Sequence, residues 1–325
     1  MSTLTQEQTH KVGGMLQSLR AELGKAVIGQ RAVIEEVLIG LLAEAHVLIE
    51  GVPGLGKTLL VKALAKAFSG QFTRIQFTPD LMPSDVVGHT FFDVANNAFV
   101  TRKGPVFTHL LLADEINRAP AKTQSALLEA MQEFQVTLEG EATPLPRPFM
   151  VLATQNPIEQ EGTYQLPEAQ LDRFLLKVRI DYPSEHEEAA LTRSVTERQS
   201  GATLGVDAVA QMIAPPQILA LQRATALVDI DERVLDYAVR IVRATREHPG
   251  LSVGAGPRGS IALVRAARAA ALLQQRSFVT PDDIRRIVLP ALRHRVALAP
   301  ETEIEGISTD ALLLNLLDGV SAPRS

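Results

Sequence analysis

Eight consecutive residues, Gly51-Val52-Pro53-Gly54-Leu55-Gly56-Lys57-Thr58, set three glycines ahead of a lysine and a hydroxyl. Glycine lets successive backbone N–H groups curl around an anion without Cβ clashes. A lysine closing such a loop reaches the β- and γ-phosphates of a nucleoside triphosphate, and the adjacent hydroxyl ligates Mg²⁺. The loop must lie between a strand and a helix, because the helix N-terminus adds its own attraction for the anion. Both flanks are present: His46-Val47-Leu48-Ile49-Glu50 is a short apolar run, and Leu59-Leu60-Val61-Lys62-Ala63-Leu64-Ala65 has helical spacing. The ordinary alternative is a glycine turn with no ligand.

Farther along, Leu110-Leu111-Leu112-Ala113-Asp114-Glu115 is a hydrophobic strand ending in two acids. At the carboxyl edge of a sheet, where α/β proteins gather their ligands, Asp114 would enter the Mg²⁺ shell. Glu115 would polarise an attacking water as a general base. Acids also end strands without any chemical role. Asn156, in Leu152-Ala153-Thr154-Gln155-Asn156-Pro157, could orient that water or touch the γ-phosphate; a polar residue before proline is equally a turn former. Arg173, in Leu171-Asp172-Arg173-Phe174, has the planar fork that suits charge developing on a phosphoryl group. A surface salt bridge is its plainer use. Arg258 follows Gly254-Ala255-Gly256-Pro257 into the first turn of a helix, where a cation opposes the helix dipole. An anion nearby would relieve that misfit.

The elements that must hold these residues follow from periodicity. Residues 5–25 and a second stretch opened by Gly29-Gln30 have helical spacing, and 72–77 alternates like a strand. A short helix is expected at 81–88. Two hairpins are expected, one over 91–100 around Asn96-Asn97 and one over 134–147 turning at Glu139-Gly140-Glu141. Further strands are expected at 109–113, 149–154 and 174–180, with a helix over 121–133. Apolar strands alternating with helices imply a parallel, doubly wound sheet. Past Tyr182-Pro183-Ser184 no strand signal survives, and helices are expected at 185–198, 216–227, 232–247, 258–275 and 281–292. The chain therefore divides into an α/β domain, residues 1–182, and an α-helical domain, residues 183–325.

Composition narrows the function classes. The chain has 325 residues, 46% hydrophobic and 21% charged, and a net charge of −5. No global field favours nucleic acid or an acidic membrane. The absence of cysteine excludes disulfides, thiolate metal sites and cysteine nucleophiles. No apolar run is long enough to span a membrane. The polar start, Met1-Ser2-Thr3-Leu4-Thr5-Gln6, lacks a signal-type core, so the cytoplasm is the expected compartment.

Taken together, the glycine loop, Asp114-Glu115-Ile116-Asn117-Arg118-Ala119-Pro120, Gln155-Asn156-Pro157 and Leu166-Pro167-Glu168-Ala169-Gln170-Leu171-Asp172-Arg173-Phe174 resemble the AAA+ ATPases, and more narrowly the MoxR family. The resemblance covers nearly the whole chain. It implies a P-loop core with a helical lid, and ATP with Mg²⁺ at the site. Gly51, Pro53, Gly54, Leu55, Gly56, Lys57, Thr58 and Leu59 then belong to the Walker A segment, with Thr58 and Asp114 as metal ligands. Asp114 and Glu115 form Walker B, Asn156 matches sensor 1, and Arg258 matches sensor 2. Arg173 resembles the arginine finger that acts on the adjacent subunit's nucleotide. Ile28 and Gly29, in Val27-Ile28-Gly29-Gln30, resemble the segment lining the adenine pocket. The two hairpins are similar to the helix-2 and pre-sensor-1 inserts. In one departure, Gly256 and Gly259 replace the Ser and Ala common around sensor 2, which would loosen the start of that helix.

The resemblance implies a homo-oligomer, expected to be a hexameric ring, acting as a chaperone that matures a client protein. A separate protein carrying a von Willebrand factor A domain is the expected partner. Three other readings stay open. A nucleic-acid motor shares the core, although the net charge and scarce aromatics disfavour it. A magnesium-chelatase-type subunit differs only in its partner. A nucleotide-gated scaffold would bind ATP and barely hydrolyse it.

Overall fold

A computed structural model describes residues 4–52, 55–156, 164–196 and 205–323. Five strands form one parallel sheet in the spatial order Phe72–Gln76, Leu110–Asp114, Met150–Gln155, Val47–Gly51, Leu176–Ile180. The apolar runs are the strands, as continuous burial on both faces requires. Alternate residues serve different cores. Val47, Ile49, Leu110, Leu112 and Leu152 face one side, where the helices Gln6–Ala26, Arg31–Leu42 and Lys57–Ala67 pack with the lid. Leu48, Leu111, Ala113, Val151 and Ala153 face the other, against Leu127 and Met131 of the helix Ala121–Glu133.

At the entry to the strand Val47–Gly51, His46 is enclosed and bonded at both ring nitrogens. Its Nδ1 accepts from the Val151 N–H at 2.9 Å, so Nε2, 2.9 Å from the Met131 carbonyl, carries the proton. Burial pushes the imidazole pKa down to about 4.

Both expected hairpins form, from Gly88–Asp93 with Ala98–Lys103 and from Gln135–Leu138 with Glu141–Pro144. Asn97, Glu139 and Gly140 take the positive φ that tight hairpin turns demand. The first hairpin exposes Phe91, Phe92, Val94 and Phe99.

Beyond the sheet come the helices Glu185–Thr196, Pro215–Ala226, Glu232–Glu247, Pro257–Leu273 and Pro281–Leu292, each within a few residues of expectation. The expectation of no strands here is corrected: Leu251–Val253 pairs antiparallel with Ala297–Leu298. Segments of two and three residues are too short to leave a period-2 pattern. The helices Pro300–Ile304 and Thr309–Gly319 were likewise not expected from spacing. At the start of Pro257–Leu273 the Gly259 N–H donates to the Gly256 carbonyl at 2.9 Å. A Cβ at Gly259 would sit 3.2 Å from Leu292 Cδ2, so glycine there permits close helix packing.

Candidate active site

The carboxyl ends of three adjacent strands converge on the glycine loop. Gly56 is the N-cap of Lys57–Ala67 with φ 80° and ψ 14°, a left-handed turn that glycine adopts without Cβ strain. Gly51 ends the strand Val47–Gly51; a Cβ there would approach the Ile180 carbonyl to 2.7 Å. Pro53 and Gly54 lie outside the described residues. Lys57 Nζ donates to the Gly51 carbonyl at 2.6 Å. Burial lowers the Lys57 pKa, and the carboxylates of Asp114, Glu115 and Glu50 oppose that shift. Lys57, Thr58 and Leu59 line a cleft of about 330 Å³ with Lys62, Arg74, Gln76, Asp114, Glu115, Thr154 and Asn156.

Asp114 is 7% exposed, and both its oxygens are engaged. Oδ1 accepts from Thr154 Oγ1 at 3.1 Å, and Oδ2 accepts from Arg74 Nε at 2.6 Å. Glu115 sits at φ 55° and ψ 50°, a left-handed conformation that costs a residue with a side chain of order 1 kcal/mol. Its backbone N–H donates to Thr154 Oγ1 at 2.9 Å. The Thr154 hydroxyl thus joins the two acids from the neighbouring strand. Glu115 Oε2 accepts from Gln76 Nε2 at 2.8 Å and from Arg118 Nη1 at 2.9 Å. Asn156, 7% exposed at the end of Met150–Gln155, lines the same cleft; Pro157 after it lies outside the described residues.

Among the described residues no cluster of three or more His, Cys, Asp or Glu could hold a metal by itself. Thr58 and Asp114 fit Mg²⁺ nonetheless, since that ion takes one or two hard protein oxygens and completes its shell with phosphate oxygens and water.

A second cleft of about 280 Å³ adjoins the first, sharing Gly56 and Leu59. Val27, Ile28, Leu55, Tyr182 and Leu191 give it a largely apolar wall suited to a planar base. Gly29 does not line it, but its φ of 78° turns the chain beside it, and a Cβ there would meet Glu187 Cβ at 2.9 Å.

The two arginines singled out in the sequence lie elsewhere. Arg173 lines neither cleft; its Nη1 donates to the Leu128 carbonyl at 2.7 Å, beside Ser125, Glu129 and Gln170. Arg258 follows the N-cap Gly256 and Pro257, and its Nη1 is 3.7 Å from Asp172 Oδ2. The anion that relieves its dipole misfit is therefore a carboxylate of the same chain. Thr154, Gln76, Arg74 and Lys62 were missed in the sequence. The signal available for Arg74 and Gln76 was their shared face on an alternating strand, with Gln76 paired in register with Asp114.

Known proteins resemble this chain in sequence and fold. The model of the ATPase family associated with various cellular activities (AAA) matches residues 46–176, and that of the AAA lid domain matches 243–315. YeaC of Bacillus subtilis is 46% identical over 314 residues, covering 94% of this chain and 97% of that protein. Chaperone MoxR1 of Mycobacterium tuberculosis is 42% identical over 314 residues, covering 93% of this chain and 81% of the relative. A crystal structure of a candidate ATPase from Cytophaga hutchinsonii superposes with a TM-score of 0.89 at 40% identity, covering 98% of each chain.

Proposed function

Because the chain belongs to the MoxR family of AAA+ ATPases, we propose that it hydrolyses ATP and couples that hydrolysis to the maturation or activation of a client protein. The carrying observation is the pair of acids, Asp114 and Glu115, fixed by Thr154 opposite Lys57 and Thr58 in one cleft. In this reading the triphosphate lies along the Gly56–Thr58 turn at the helix N-terminus, and the base occupies the apolar cleft beside Ile28 and Tyr182. Mg²⁺, held by Thr58 and Asp114, would offset charge on the β- and γ-phosphates. Glu115 takes the proton from the attacking water, and Asn156 orients that water. Glu115 must first leave Gln76 and Arg118, which occupy its Oε2.

Arg173 lines no part of its own cleft, which supports action on a neighbour's nucleotide and hence a head-to-tail ring, a hexamer in this reading. Arg258 serves the nucleotide from the lid. Residues 1–182 act as the nucleotide-binding domain and 183–325 as the lid. The exposed aromatic hairpin of Gly88–Asp93 and Ala98–Lys103 contacts the client. A separate von Willebrand factor A domain protein assists, in the cytoplasm.

Phosphate release by wild type, Glu115→Gln and Arg173→Ala tests the reading. Each substitution is expected to lower kcat by about 10²-fold or more while ATP binding persists. Equal rates for all three would discard the hydrolase.

A further inference from the structure

The lid helix Pro281–Leu292 runs into Arg293-His294-Arg295, and the side chains of His294 and Arg295 reach across to the segment before the last strand of the sheet. Arg295 is 4% exposed. Its Nε donates to Asp172 Oδ1 at 2.7 Å, and its Nη2 donates to the carbonyls of Phe174 at 2.7 Å and Asp172 at 3.2 Å. Its Nη1 donates to the Leu175 carbonyl at 3.1 Å. His294 Nε2 is 3.0 Å from the same Phe174 carbonyl. The other oxygen of Asp172 faces Arg258, also from the lid, at 3.7 Å.

Arg173 stands between the two residues so gripped. Its neighbours on both sides are tied to the lid, whereas its own side chain turns to the Leu128 carbonyl. Nη1 bonds one carbonyl, Nε is buried without a hydrogen-bond partner, and no carboxylate pairs with it among the described residues. Whatever moves Arg295 therefore moves the backbone from which Arg173 projects. In the reading where Arg258 serves the nucleotide, an anion in the subunit's own cleft would compete with Asp172 for it.

We propose that Asp172 is a positioning residue for Arg173: anchored by Arg295 and shared with Arg258, it passes the lid angle of one subunit to the arginine which that subunit extends to its neighbour. This rests on the reading in which Arg173 acts in trans. Two arginines of one lid converge on one carboxylate, and the next residue in the chain is the one that leaves the subunit. Occupancy of one site thereby sets the catalytic competence of the next, and ATP hydrolysis becomes cooperative around the ring.

Asp172→Asn keeps the shape of the side chain and an acceptor for Arg295, and removes the charge that Arg258 shares. The expected result is binding of a fluorescent ATP analogue unchanged within about threefold, with kcat down about 10- to 100-fold, the scale for a misplaced catalytic group. The Hill slope for ATP is expected to fall to that of independent sites. Asp172→Glu, which restores the carboxylate, is expected to recover part of kcat, and it carries the same tests if the Asn variant does not fold. Mixing then locates the defect. Glu115→Gln subunits hold ATP without hydrolysing it and so offer a sound Arg173, and adding them to Asp172→Asn subunits should raise turnover above that of either alone. Recovery with Arg173→Ala but not with Asp172→Asn would place Asp172 in cis and overturn the proposal while leaving the ATPase reading intact. Wild-type turnover by Asp172→Asn, or no gain from Glu over Asn, overturns it as well. If Arg173→Ala also fails to recover, or wild type releases no phosphate, the underlying reading falls and the proposal falls with it.

Discussion

Thr154→Val removes one hydroxyl from a position that is 2% exposed and changes little else in shape. That hydroxyl donates to Asp114 Oδ1 at 3.1 Å and accepts from the Glu115 N–H at 2.9 Å. Valine leaves a buried backbone donor and a buried carboxylate oxygen each without a partner. An orphaned buried group costs about 1–3 kcal/mol, and Asp114 retains Arg74 on its other oxygen. The expected loss of stability is therefore about 2–5 kcal/mol. The left-handed conformation at Glu115 persists only while its surroundings enforce it, so releasing its N–H should also let the carboxylate drift from the cleft. Thr154→Ser keeps the hydroxyl and loses only a methyl, which costs about 1 kcal/mol. Urea unfolding and phosphate release on both variants separate the contributions. Serine should retain most of the turnover and most of the stability; valine should lose at least 10-fold in kcat, the lower range for a disturbed general base. Equal stability and equal turnover for the two variants would refute the bridging role of Thr154.

His46 makes stability depend on pH with a defined sign. Its folded pKa, pushed down to about 4 by burial, lies below the unfolded value of about 6.5, so the unfolded chain binds more protons between those limits. Stability from this group is complete above pH 6.5 and declines as pH falls, by about 3 kcal/mol at pH 4; urea midpoints for wild type and His46→Gln across that range check it, with a shallower slope expected for the variant. Gln76→Leu removes one of the two donors on Glu115 Oε2 without touching the nucleotide loop, and is expected to raise basal phosphate release severalfold at unchanged ATP affinity. A fall in release would instead make Gln76 part of the active arrangement.

Much of the fold was legible because burial imposes period. Leu110 to Ala113 had to be a strand covered on both faces, and Asn96-Asn97 had to turn a hairpin. Strand order was not legible, because Phe72–Gln76 lies beside Leu110–Asp114 through contacts that no local pattern records. The omissions in the site share that cause. Threonine in Met150–Gln155 reads as a β-branched filler until the neighbouring strand brings Asp114 within reach of its hydroxyl. Arg74 and Gln76 read as the outward face of an amphipathic strand until the register sets them beside the two acids. Conversely, Lys57, Thr58, Asp114 and Glu115, which line one cleft, stood out in the sequence as adjacent pairs at fixed offsets.

Charge within the cleft explains why more than one chain is called for in the proposed mechanism. Lys57, Lys62 and Arg74 face Asp114 and Glu115, three cations against two acids, and Arg74 is already bonded to Asp114. A surplus so small falls well short of a triphosphate, whose phosphates each bring one or more negative charges. Placing ATP there without further cations would leave charge uncompensated in a partly dehydrated cleft, where opposite charges must be paired. In the proposed mechanism Mg²⁺ would close part of the gap, and Arg258 would close more by exchanging Asp172 for phosphate. In that mechanism the remaining charge, the part that develops as the γ-phosphoryl group departs, would fall to an Arg173 from a neighbouring copy. Raising the cation count in cis, by Gln76→Lys, would disturb Glu115 directly, since Gln76 holds its carboxylate at 2.8 Å. Supplying the last charge from outside leaves the base free to act and makes turnover conditional on assembly.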